Sequence, residues 1–278
     1  NTSLINFFSR PTHGKTLQTI ATLREDLYGA KQWKQLLFAD RIIVYSDYSK
    51  HILERVGFDN VTRIYPGTDL SLYRPQPKDA EALTFFNLTP DDFVVMYPGE
   101  YVRLGATDML AEWLIEYYRT HPDSAMKFVF ACRVKHEDDR LKKVEITERF
   151  AAAGILDRIR FTDTYADMPK LYNLADIMTF PVGDMRGKFD VPLVIIEAYA
   201  CGKPVILSDL PIFQEFSSDT ICATIPRGSA EALTETVDTL MRNPAAREAL
   251  GREARTFVEG SFDLKDTVRR YEDVYASM

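Results

Sequence analysis

Apolar and polar residues follow two alternating periods along this chain. Short runs such as "DRIIVYS" (40–46), "FVVMYPG" (93–99), "KFVFACRV" (127–134) and "DIMTFPV" (176–182) are almost continuously apolar. That is the pattern of strands buried on both faces. "TLQTIAT" (16–22), "DRIRFTDTY" (157–165), "KPVILSD" (203–209) and "ICATIP" (221–226) complete the strand candidates. Between them, apolar residues three and four apart predict helices over "LREDLYGAKQWKQLLFA" (23–39), "DYSKHILERVGF" (47–58), "TDMLAEWLIEYYRTH" (107–121) and "DRLKKVEITERFAAAGI" (139–155). Thr107 or Asp108 is the expected cap of the third. "DMPKLYNLA" (167–175) predicts a short helix with Pro169 in its first turn. Another helix is bracketed by Pro192 at its start and Gly202 after its end. Three polar helices, over 229–243, 244–260 and 263–278, close the chain.

Strands alternating with helices predict an α/β fold with doubly wound parallel sheets. The turn-rich "VTRIYPGTDLSLYRPQP" (61–77), punctuated by Pro66, Gly67, Pro75 and Pro77, is the expected domain boundary. Domains are therefore expected at 1–76 and 77–262, with 263–278 as a separate terminal helix.

Composition narrows the function. The 278 residues are 46% hydrophobic and 27% charged, enough for one large or two medium α/β domains. The net charge is −7 and the densest charge cluster, "RVKHEDDRLKK" (133–143), is mixed in sign, so no nucleic-acid partner is expected. No apolar run approaches the roughly 20 residues of a membrane-spanning helix. Cys132, Cys201 and Cys222 lie in apolar runs without metal-ligand spacing. They read as buried free thiols in a reducing compartment, with the cytoplasm as the default. The opening "NTSLINFFSR" lacks an initiator methionine and reads as a fragment's start.

Ligands of open parallel sheets bind beyond the carboxyl ends of the strands. Four segments qualify: "YPGEYVR" (97–103), "ACRVK" (131–135), "TDTYADM" (162–168, with Thr164) and "PVGDMRGKFDVP" (181–192). Gly99 permits close approach of backbone to ligand, and Arg103 follows it. Arg133 and Lys135 either hold a pyrophosphate or pair with the neighbouring acids 137–139. Lys188 and Asp190 stand where a loop enters a helix; Asp190 touches a ligand, caps that helix, or does both. Glu197 is the one acid inside "LVIIEAYAC" (193–201). A carboxylate taken out of water requires donors, which are either internal groups or a ligand's sugar hydroxyls. None of the four histidines fits a metal pattern, "HGKT" (13–16) lacks the spacing of a P-loop, and "EDD" (137–139) reads as a solvated helix start.

Taken together, "FADRIIVYSDYSKHILERVGFDNVTRIYPGTDLSLYRP", "LYNLADIMTFP" and "DVPLVIIEAYACGKPVILSD" resemble the retaining glycosyltransferases of the glycogen-synthase-like, GT-B class, family 4 type. The resemblance implies a complete C-terminal donor domain and the remainder of an N-terminal, acceptor-side domain, both Rossmann-like and facing a cleft. The last helix would pack back toward the first domain. It implies a hexosyltransferase taking a UDP- or GDP-sugar, with no cofactor or metal required, and a carbohydrate or lipid-linked acceptor. Peripheral association with a membrane is compatible with such an acceptor. Glu197 matches the second Glu of the family's E-x7-E motif, which meets the nucleotide ribose. Position 189, where the first Glu belongs, is Phe, and the adjacent Asp190 would substitute in contacting the transferred sugar. Pro192 stands where a Gly amide is usual, and Leu104 where a Lys is usual. Arg133 and Lys135 would then supply the charge opposite the phosphates and share catalysis with Asp190. Two rivals remain: a catalytically degenerate nucleotide-sugar-binding partner subunit, and an epimerase of the same fold class.

Overall fold

The computed structural model describes residues 13–162, 164–185, 188 and 190–278. It divides into two units: residues 1–67, 185–193 and 261–278 form the first, and 68–184 with 194–260 the second. The first unit's opening stretch ends at Gly67, and the segment 185–193 groups with it.

The first unit carries a parallel sheet of β1 (Leu17–Ile20), β2 (Arg41–Val44) and β3 (Val61–Arg63), in that order. Helix α1 (Ala30–Leu36) is shorter than its periodicity predicts. Residues upstream of Gly29 fold into a turn in which the Arg24 guanidinium donates to the Asp26 carboxylate at 2.7 and 2.8 Å. The Gly29 amide donates to Gln32 Oε1 at 3.2 Å. Local side-chain bonds thus outcompete helical ones before Ala30. Helix α2 (Asp47–Val56) follows its signals closely: Ser46 accepts from the Ser49 amide at the start, and Gly57 closes it at φ 98°. Trp33, Leu37, Ile42, Val44 and Leu53 form the core of this unit.

The second unit is a six-stranded parallel sheet, ordered β6-β5-β4-β7-β8-β9. Its strands are β4 (Phe93–Tyr97), β5 (Met126–Phe130), β6 (Ile159–Phe161), β7 (Ile177–Phe180), β8 (Val205–Ser208) and β9 (Ala223–Ile225). Val94, Val95, Met96 and Tyr97 are all at 0% exposure, as expected of strands covered on both faces. The strand order turns back between β4 and β7, which makes their carboxyl ends the crevice of the sheet. At the opposite end Asp176 fixes their register: its amide donates to Val94 O, and its carboxylate accepts from the Val94 amide and from Lys78, all at 2.8 Å.

The helices here are α3 (Ala80–Phe85), α4 (Thr107–Thr120), α5 (Glu137–Ala152), α6 (Met168–Leu174), α7 (Leu193–Ala200), α8 (Ala230–Arg242) and α9 (Pro244–Ser261). Helix α10 (Leu264–Ser277) belongs to the first unit, where Thr267 Oγ1 donates to Tyr65 O at 3.0 Å. Three sequence expectations need correction. Helix α3, capped by Asp79, lies where no element was expected, because its 6 residues make fewer than two turns and are too short to show a period. Ala106 occupies the cap of α4, while the Thr107 hydroxyl donates to Glu100 O at 3.2 Å. Asp139 is not solvated: it is buried and accepts from the amides of Lys135 and His136, both at 3.1 Å, satisfying otherwise orphaned donors at the start of α5.

Candidate functional site

At the carboxyl end of β4 the chain turns through Pro98, Gly99 and Glu100. Glycine is required at 99 by packing: a Cβ there would fall on the ring of Tyr97, which is fully buried. Glu100 accepts from Lys135 Nζ at 2.6 Å, joining the end of β4 to the segment after β5. Lys135 is thus paired, though not with the neighbouring acids. The Arg133 guanidinium, two residues earlier, is exposed and has no partner among the described residues. Arg103 and Thr164 are exposed beyond β4 and β6.

A further cation joins this edge from β9. The Arg227 amide donates to Asp209 Oδ1 at 2.7 Å, and its guanidinium reaches Gly183 O, after β7, at 3.4 Å. Sequence reasoning passed over Arg227, although the strand-end rule applied to "TIPRGS" as to the other segments. The carboxyl edge of the second unit thus gathers Arg103, Arg133, Lys135 and Arg227 on three strand-end segments, after β4, β5 and β9, an arrangement suited to an anion.

Glu197 lies in the middle of α7. Its Oε2 accepts from the Tyr172 hydroxyl of α6 at 2.8 Å, and the Tyr73 phenol stands beside the same carboxylate. Burial raises its pKa above the ordinary carboxylate range, and the two tyrosines pull the other way. Both phenols are pushed upward, first by burial and then by the neighbouring negative charge. No ion pair involves Glu197 among the described residues, so the carboxylate keeps acceptor capacity beyond its phenol neighbours. Neither tyrosine was legible from spacing, because each comes from a segment distant in sequence.

Behind this cluster, Arg255 of α9 donates to Tyr73 O at 2.7 Å and to Ala200 O, at the end of α7, at 2.6 Å. Its placement depends on a close approach of α9 to the turn after α7. A Cβ on Gly251 would meet Gly202 O far inside 3.0 Å. Gly202 itself adopts φ 66°.

Asp190, expected to meet the transferred sugar, is held by internal donors. It is 3% exposed and sits in the first unit, where it accepts from the Leu23 amide at 3.1 and 3.3 Å and from Ser49 Oγ at 2.5 Å. Its own amide donates to Ala21 O at 3.0 Å. These bonds tie the segment that carries Asp190 to Leu23 and Ser49 within the first unit. A buried acid must find donors, and a backbone amide and a hydroxyl supply them. Lys188, in the same segment, is half-buried. Positions 163, 186, 187 and 189, the last three in the loop before α7, lie outside the described residues.

Cys132, Cys201 and Cys222 are buried free thiols, and burial pushes Cys201 up to about 12. Among the described residues no group of three or more His, Cys, Asp or Glu side chains could hold a metal ion. No helix among them is long and apolar enough to cross a membrane.

Comparison with known proteins bears on this geometry. Residues 92–243, more than half of the chain, match the family described as Glycosyl transferases group 1. A D-inositol 3-phosphate glycosyltransferase 2 from Catenulispora acidiphila is 34% identical over 175 residues, which are 60% of this chain and 40% of that protein. A D-inositol 3-phosphate glycosyltransferase from Salinispora tropica is 27% identical over 85% of this chain and 51% of its own length. The chain thus spans about half the length of the curated relatives it matches. Among solved structures, Anabaena Alr3699/HepE in complex with UDP and glucose superposes with a TM-score of 0.82 at 17% identity, over 99% of this chain and 74% of that one. Sucrose-phosphate synthase from Thermosynechococcus elongatus gives 0.81 at 21% identity, over 99% and 71%. These likenesses show the fold, which is of the GT-B class with Rossmann-like parallel sheets.

Proposed function

The chain belongs to the Glycosyl transferases group 1 family, and from that premise we propose that it is the donor-binding part of a hexosyltransferase of the retaining, family 4 type. The observation that carries this reading is Glu197: a half-buried carboxylate that accepts from the Tyr172 hydroxyl beside a second phenol, Tyr73, with acceptor positions left over, in a unit whose strand ends gather cations. A ribose diol supplies the donors such a group can still accept. The diphosphate would lie against Arg133 and Arg227, with Lys135 and Arg103 close in sequence to the same edge.

Transfer breaks the bond between the anomeric carbon and the β-phosphate oxygen, and negative charge builds on the phosphate. Fixed cations aimed there stabilise the leaving group, the task a metal ion performs in other folds. In this reading Arg133 is the principal phosphate ligand. Lys135, held by Glu100, contributes through a paired and oriented ammonium. The acceptor is a hydroxyl of a carbohydrate, a lipid-linked glycan or a polyol. Relatives named for inositol phosphate, and a phosphatidyl-myo-inositol mannosyltransferase from Mycobacterium leprae, support that class.

The burial of Asp190 favours a second reading, a subunit that binds the nucleotide sugar without transferring it. Titration calorimetry with UDP and with GDP, followed by a donor-hydrolysis assay, separates the two. Binding with turnover supports the transferase, and binding alone the second reading. Arg133→Ala is expected to weaken nucleoside diphosphate binding about tenfold, in line with a lost charge-assisted bond. Unchanged affinity would remove Arg133 from the site.

A further inference from the structure

The acid of α7 is surrounded in an unusual way for a half-buried charge. No lysine or arginine faces it in an ion pair among the described residues; its neighbours are two phenols, Tyr172, which donates at 2.8 Å, and Tyr73 beside it. If the task were only to satisfy two phenol hydroxyls, a neutral glutamine would do so without the desolvation cost of a charge. A cation in place of the phenols would neutralise the carboxylate and compete for its lone pairs. Neutral phenols fix the orientation and leave the charge available. A carboxylate offers about four acceptor positions, of which the phenols take at most two. The phenols are themselves held: Tyr172 is fully buried, and the Tyr73 backbone is tied by Arg255 to the end of the helix that carries Glu197. The same guanidinium also reaches Leu70 O at 3.4 Å.

We propose that Tyr73 and Tyr172 are positioning residues for Glu197, and that their hydroxyls orient its carboxylate toward a ribose diol and so set selectivity for ribonucleotides over 2′-deoxyribonucleotides. The inference rests on the reading of Glu197 as the ribose-binding group. Arg255 is the strut that keeps Tyr73 and α7 in register. A generally loosened site would weaken both kinds of nucleotide alike. A misoriented carboxylate loses mainly the bond to the 2′-hydroxyl.

The test is titration calorimetry of the full chain with UDP, GDP and the 2′-deoxy form of whichever binds more tightly. The variants are Tyr73→Phe, Tyr172→Phe, the double variant and Glu197→Ala. The wild-type chain is expected to prefer the ribonucleotide about tenfold, the size of one bond to a charged acceptor. Glu197→Ala should abolish the preference. The double phenylalanine variant should reduce it to about threefold or less while deoxynucleotide affinity stays within about twofold. Tyr73→Phe removes one oxygen from a half-buried ring and carries the same test if the Tyr172 variant does not fold. A preference that survives loss of the phenols but not of Glu197 overturns the positioning role alone. A preference that survives Glu197→Ala, or failure of both nucleotides to bind, overturns the ribose reading and this inference with it.

Discussion

Gly251 is the most exacting test of how the second unit is held together. It lies inside α9, where alanine is normally favoured over glycine by about 1 kcal/mol. Propensity alone therefore predicts that Gly251→Ala stabilises the chain. The tertiary structure predicts the reverse, because the added methyl would meet the backbone oxygen of Gly202 well inside 3.0 Å. Neither partner is a flexible side chain. Gly202 is fixed at φ 66° after α7 and is itself backed by Pro75, whose Cγ lies 3.0 Å from where its own Cβ would stand. Relief requires α9 and the turn to part by about 1 Å, an overpacking that costs about 1–3 kcal/mol. Arg255, one turn further along α9, would then lose its grip on Tyr73 O and Ala200 O, for about 1–2 kcal/mol more. Set against the propensity gain, the net expectation is a loss of about 1–4 kcal/mol. Urea unfolding followed by tryptophan fluorescence measures it. The chain has two tryptophans, and Trp113 reports the second unit once Trp33 is replaced by Phe. Gly260→Ala, in the same helix with nothing within 4 Å of the new methyl, is the control and should be neutral or stabilising. If Gly251→Ala matches Gly260→Ala, the claimed contact does not govern this unit.

Other expectations follow from the buried acids. Asp190→Ala strands the Leu23 amide and the Ser49 hydroxyl, and should destabilise the first unit by about 3 kcal/mol, read from Trp33 fluorescence in a Trp113→Phe background; an unchanged midpoint would contradict the anchor role. Burial raises the Glu197 pKa, so the folded state holds that proton more tightly than the unfolded chain does. Stability therefore falls as pH rises through the folded pKa, and the cost is fully present above it. Glu197→Gln should accordingly unfold at higher urea than wild type at about pH 8, with the advantage disappearing as the wild-type acid is protonated. A gain that persists in acid would show that the charge is not its origin. Replacing Arg255 by Ala should lower the second unit's stability by about 2–4 kcal/mol, since it leaves the carbonyls of Leu70, Tyr73 and Ala200 without their shared donor; the Trp113 transition measures this.

Much of this protein was legible in one dimension. Strand runs and helical periods are properties of a few consecutive residues, so "FVVMY", "KFVFA" and "DIMTF" announced β4, β5 and β7 without knowledge of their neighbours. Caps such as Ser46 with Gly57, and Asp167 with Pro169, are equally local. The rule that ligands gather beyond parallel strands located the cation edge, and an acid in an apolar helix marked Glu197 as a residue needing donors. Local competition already blurred the reading at Gly29, where side-chain turns displaced half of an expected helix.

What the linear order left open was always the identity of a partner. Glu197 required donors, yet only the folded chain could select Tyr73 and Tyr172 over a cation. Asp190 likewise required donors, and the fold supplies one from Ser49, 141 residues away in sequence. Gly99 and Gly251 are glycines because Tyr97 and Gly202 occupy the space a Cβ would need. Periodicity is encoded by neighbours in sequence, whereas the satisfaction of a buried charge and the filling of a core depend on atoms that only chain closure brings together.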